Sequence, residues 1–162
     1  MAISADGLAF LKRLEGSSST VYADSEGLPT IGVGHFLTQG DLLSGTIRID
    51  SQAIAYANGL TEAQITSLFL QDLMPAVHTV ALDGAHYLLQ REEDALCCLV
   101  FNIGLGAYNT STLRTKLLAG KCADIPVQMQ RWVYAGKRIV PGLQRRRNRE
   151  IHWWMYGTDS EP

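Results

Sequence analysis

A helix that ends on Glu15 and hands over at once to a segment rich in Gly, Thr, Val and Ile constrains this chain more than any other feature. Residues 15–35 run E-G-S-S-S-T-V-Y-A-D-S-E-G-L-P-T-I-G-V-G-H. Ser4 to Leu14 predicts a short amphipathic helix, with Leu8, Leu11 and Leu14 on one face and Ser4 as N-cap. Gly7 weakens that helix slightly, and Gly16 can end it. Val21–Asp24 and Thr30–Gly34 predict short strands around the S-E-G-L-P turn, and Phe36–Thr38 continues the sheet. The pattern therefore sets a carboxyl at a helix end against a second carboxylate, Asp24, on a small sheet. Cleavage of a glycosidic bond needs such a pair: one group protonates the leaving oxygen, and the other handles a water or the sugar cation. Singly, Glu15 or Asp24 would be ordinary solvated surface residues, and Thr30 a strand residue chosen for β-propensity. The spaced set carries the functional reading.

At 162 residues and 46% hydrophobic content, the chain suits one domain with a sizeable core. A formal net charge of −2 gives no general attraction to nucleic acid or to an anionic membrane. Arg145, Arg146, Arg147 and Arg149 form a local basic run, which reads equally as a solvated helix face or a functional patch. Cys97, Cys98 and Cys122 are odd in number and contain no C-x-x-C, so they predict neither a disulfide framework nor a metal site. Cys97 and Cys98 lie in an apolar run and are expected to be buried, inert thiols. Met1–Gly7 has no basic region leading into an apolar stretch, so no secretory signal is expected, and no segment reads as long and apolar enough to span a membrane.

Further along, Thr46–Asp50 and Ile54–Ala57 alternate apolar and polar residues and predict an extra hairpin; a helical insertion is the alternative. T-E-A-Q at Thr61–Gln64 is a capping box that opens a long helix, with Pro75 predicting a kink or break inside it. The rest predicts helices: Glu92–Ile103, Ser111–Ala119, Ile125–Ala135 and Leu143–Tyr156, the last with its arginines on one side and Trp153 and Trp154 on the other.

E-x8-D-x5-T followed by I-G-V-G-H resembles the active-site segment of the phage-type lysozymes, glycoside hydrolase family 24. F-N-I-G at residues 101–104 and R-W…G-L-x-x-R-R from Arg131 to Arg146 extend the resemblance over nearly the whole chain. It implies an α+β, lysozyme-like fold: a small N-terminal β lobe with an insertion (residues 1–60), a long joining helix (61–82) and a helical lobe (83–162), with the active-site cleft between lobes. It implies hydrolysis of the β-1,4 bond between N-acetylmuramic acid and N-acetylglucosamine in peptidoglycan. Glu15 would be the general acid, its pKa raised by burial, Asp24 the ionised base that activates water, and Thr30 its helper. A carboxyl separation of roughly 6.5–9.5 Å would give inversion, and one near ~5 Å a covalent intermediate; the resemblance favours inversion. Tyr22, Phe36, Leu37, Phe101 and Asn102 match substrate-contacting positions. His35 is expected to pair with Asp72, and Trp132 to be buried as a brace. Arg146, with Arg145 next, is expected near the catalytic acid.

No cofactor or metal is implied. Peptidoglycan is the implied partner, with no nucleic acid, no stable membrane insertion and a monomeric state. Action in the periplasm would require a holin or a secretion apparatus. A secreted antibacterial effector of the same chemistry, with an immunity protein, stays open beside an endolysin. So do a lytic transglycosylase, which needs a single Glu and no water, and a wall-binding module without activity.

Overall fold

The computed structural model describes residues 3–24, 27–84 and 87–159; Ser25 and Glu26 of the expected S-E-G-L-P turn lie outside them. The chain forms two compact units, Lys12–Met74 and a second made of Met1–Leu11 with Pro75–Pro162.

Helix α1 spans Ala5–Glu15 and buries Gly7, Phe10 and Leu11. Its first turn is held by Ser4, whose hydroxyl accepts from Gly7 N (2.9 Å) and donates to Asp94 Oδ2 (2.6 Å). Strands β1 (Ser18–Ala23), β2 (Pro29–Gly32) and β3 (His35–Phe36) follow as an antiparallel sheet in that order. Thr30 stands opposite both Tyr22 and Phe36, so the three share one face.

The segment after β3 holds a helix and a hairpin in succession rather than one or the other. Thr38, expected in a strand, instead caps α2 (Gln39–Ser44) in a reciprocal box with Asp41. Gly45, at φ +66°, ends the helix in the left-handed conformation. Strands β4 (Thr46–Ile49) and β5 (Gln52–Ala55) then form the expected hairpin, in which Ile47 and Ile49 turn inward.

Helix α3 (Glu62–Gly84) opens with the box read from T-E-A-Q: Thr61 N donates to Gln64 Oε1 (2.8 Å), and Gln64 N to Thr61 Oγ1 (3.2 Å). Of the kink or break expected at Pro75, the break does not occur: the helix is continuous through it. Its 23 residues also correct the membrane expectation, because a mean hydropathy of 1.2 over an 18-residue window makes it long and apolar enough to span a bilayer. Ser, Thr, Gln and His residues had hidden that run, and its Ile65, Leu68, Phe69, Leu73, Val77 and Val80 are buried inside the protein.

In the second unit α4 (Gln90–Ile103) packs on α8 (Pro141–Tyr156), with α5 (Leu105–Asn109), α6 (Thr112–Leu118) and α7 (Ile125–Met129) around them. Phe10 of α1 stacks on Trp153 of α8, with ring centroids 4.4 Å apart. Cys97 and Cys98 are buried and free, and burial pushes both thiols far up. Asp83 is buried and takes three bonds: Tyr108 Oη (2.9 Å), Arg114 Nε (2.7 Å) and Arg114 Nη2 (3.1 Å). The expected helix over Ile125–Ala135 stops at Met129. Tyr134–Ala135 and Arg138–Ile139 instead pair as strands β6 and β7 across Gly136, whose φ is +60°. Among the described residues, the regular structure of this unit is helical apart from this ribbon.

Candidate functional site

Glu15 is the last residue of α1, and Gly16 (φ +73°) turns the chain into β1. The carboxyl is half-buried, with Oε1 shielded from solvent. Asp24 follows β1, and the chain wraps around it. Asp24 N donates to Leu28 O (3.0 Å), Gly27 N to Asp24 O (3.0 Å), and Leu28 N to Asp24 Oδ1 (2.8 Å). Gly27 sits at φ +81°, a conformation that suits glycine. Thr30 is 3% exposed, and its hydroxyl donates to Leu28 O (3.1 Å). Asp24 and Thr30 thus brace the same residue, one at its amide and the other at its carbonyl.

Asp24 lies just past the end of β1, whose Tyr22 stands on one face of the sheet. That face carries Tyr22, Thr30 and Phe36 in register, with Tyr22 and Phe36 exposed. Val21, Tyr22, Ala23, Gly27 and Pro29 line an open depression of about 300 Å³. Leu37 differs: it is 0% exposed and belongs to the core, so it offers a sugar no surface. Alternation puts it on the opposite face from Phe36.

His35 Nδ1 meets Asp72 Oδ2 at 2.8 Å and ties β3 to α3. The hydrogen bond to Asp72 raises the imidazole pKa above 6.5, against the opposing pull of burial.

In the second unit Phe101 is half-buried and Asn102 exposed at the end of α4. Asn102 Oδ1 accepts from Arg147 Nη2 (2.6 Å). Trp132, expected to be buried, is half-buried, and with Thr110, Ser111, Gln128 and Arg131 it lines a pocket of about 290 Å³.

The arginine run does not lie on one solvated side. Arg145 is exposed, but Arg146 bonds Glu150 Oε1 (2.8 Å) and Cys98 O (3.3 Å). Arg147 is 0% exposed and reaches Glu150 Oε2 at 3.1 Å. Sequence reasoning passed over Arg147 and Glu150 as site residues. The signal was there: Glu150 stands three and four positions after two arginines on one helix.

The sequence profile described as Phage lysozyme matches residues 12–150. The endolysin of Salmonella phage P22 is 34% identical over 91% of this chain and 94% of its own length. The endolysin of Acyrthosiphon pisum secondary endosymbiont phage 1 is 36% identical over 93% of this chain and 95% of its own. The structure of an endolysin from Escherichia coli O157:H7 phage FAHEc1 superposes with a TM-score of 0.79 at 30% identity, covering 99% of this chain and 98% of that one. A profile over most of the chain, relatives of nearly equal length and a shared α+β fold agree, and the chain belongs to the phage lysozyme family.

Proposed function

We propose that this protein hydrolyses the β-1,4 bond between N-acetylmuramic acid and N-acetylglucosamine in peptidoglycan, with inversion, during phage lysis of a bacterial cell. The observation that supports this most is the paired anchoring of Asp24 and Thr30 on Leu28, just after the helix that ends on Glu15. Backbone donation from Leu28 N to Asp24 Oδ1 fixes the orientation of that carboxylate.

In this reading, Glu15 gives its proton to the glycosidic oxygen as the C–O bond breaks. Asp24 takes a proton from a water whose oxygen forms the new bond to the anomeric carbon. The Thr30 hydroxyl spends its proton on Leu28 O, so its lone pairs accept from that water. Tyr22 and Phe36 supply apolar surface for a sugar ring, and Phe101 and the Asn102 amide supply further substrate contacts. Of the two arginines, half-buried Arg146, held by Glu150, is the one that serves the acid, rather than exposed Arg145.

The test is release of reducing ends from purified sacculi by wild type, Glu15→Gln and Asp24→Asn. Each substitution should lower the rate by about 10²–10⁴. Full activity of Asp24→Asn, with products that lack reducing ends, would instead mean a transglycosylase.

A further inference from the structure

Residues 131–149 contain seven of the chain's 14 lysines and arginines and no aspartate or glutamate, in a chain of net charge −2. Several of these cations are engaged: Arg146 and Arg147 by Glu150, and Arg149 by Asp159. Elsewhere, Lys12 is paired with Glu62, Arg114 with Asp83 and Lys116 with Asp124. Lys137, Arg138 and Arg145 are exposed, and among the described residues they have no ion pair or side-chain hydrogen bond. Lys137 and Arg138 crown the β6–β7 ribbon, and Arg145 lies one turn into α8. On the same ribbon Tyr134 stands opposite Ile139, and these are 53% and 52% exposed.

We propose that this ribbon is a docking surface for the carboxylates of peptidoglycan stem peptides, a second contact with the polymer beyond the sugar-cleaving residues. The proposal rests on the function proposed above. A protein of net negative charge meets an anionic polymer with repulsion unless a local excess of cations faces it. Cations without partners keep their full field for that encounter. Stem peptides alternate carboxylates with alanine methyl groups, which suits cations beside Tyr134 and Ile139. An anionic phospholipid surface fits less well, because two half-exposed apolar residues offer little area to insert.

The test uses full-length Glu15→Gln protein, so that the polymer stays intact, and measures its co-sedimentation with purified sacculi across NaCl concentrations. Lys137→Gln with Arg138→Gln should weaken binding roughly three- to ten-fold at low salt, and the difference should vanish at high salt. Lys121→Gln, an equally exposed cation elsewhere, should leave binding unchanged. Sacculi with amidated carboxyls should hold the parent protein as weakly as the double variant. The proposal is overturned by equal sedimentation of parent and double variant, by an equal loss with Lys121→Gln, or by a dependence seen with phosphatidylglycerol vesicles and not with sacculi. Reducing-end release by wild type from the same sacculi separates the two readings. Activity with unchanged binding of the double variant defeats the docking surface alone. No activity defeats the function, while the sedimentation result still decides the surface.

Discussion

Gly7 shows how far a single residue can be understood from sequence. As a helix residue it reads as a small propensity penalty. In the fold, a Cβ there would fall on the Asp94 side chain, which is itself fixed by Ser4. Gly7→Ala should therefore destabilise by about 1–3 kcal/mol despite its better propensity, as urea titration would show. His35 was more legible, because the family resemblance named its partner. Its raised pKa means that the folded state binds this proton more tightly than the unfolded chain. The pair's contribution is complete below 6.5 and is lost as pH rises through the higher folded value; protonation of the carboxylate limits it from the acid side. His35→Asn should cost about 1–2 kcal/mol near pH 6 and clearly less near pH 9, in parallel melts. An equal cost at both would remove the pair from the account. Leu37 was misplaced because the residue beside an exposed strand position points the other way, and the sequence pattern alone did not fix which of the two faced inward.

At the scale of elements, capping chemistry was the most legible signal. The Thr61–Gln64 box opens α3 as read, and Thr61→Ala should cost about 1 kcal/mol in thermal melts. The missed elements share a cause. Thr38–Asp41 is also a capping arrangement, but Gly40 and the short length of α2 hid it among residues expected to extend the sheet. Tyr134 and Ala135 were absorbed into the end of a helix, although the Gly136 that follows them, with Ile139 beyond, has hairpin character. Long-range partnerships were the least legible. The spacing of Arg146, Arg147 and Glu150 predicts neighbours on a helix, whereas full burial against α4 depends on what packs there. With Glu150 at 0% exposure between two arginines, Glu150→Gln should cost about 3–5 kcal/mol, because it leaves buried positive charge without its counter-ion. A urea midpoint near that of wild type would contradict this.

For the whole molecule, the α+β class was what the family resemblance implied, and the match over residues 12–150 agrees with it. What the sequence obscured was the distribution of charge. A net charge of −2 gives no hint that seven cations gather in one stretch, nor that three of them have neither an ion pair nor a side-chain hydrogen bond among the described residues. The central claim concerns two carboxyls and one water, and the stereochemistry of the first product tests it most directly. Proton NMR of a soluble peptidoglycan fragment during early turnover should show the α-configured reducing end appearing first, with mutarotation following. A β-configured end appearing first, or an anhydro end, would contradict water activation by Asp24.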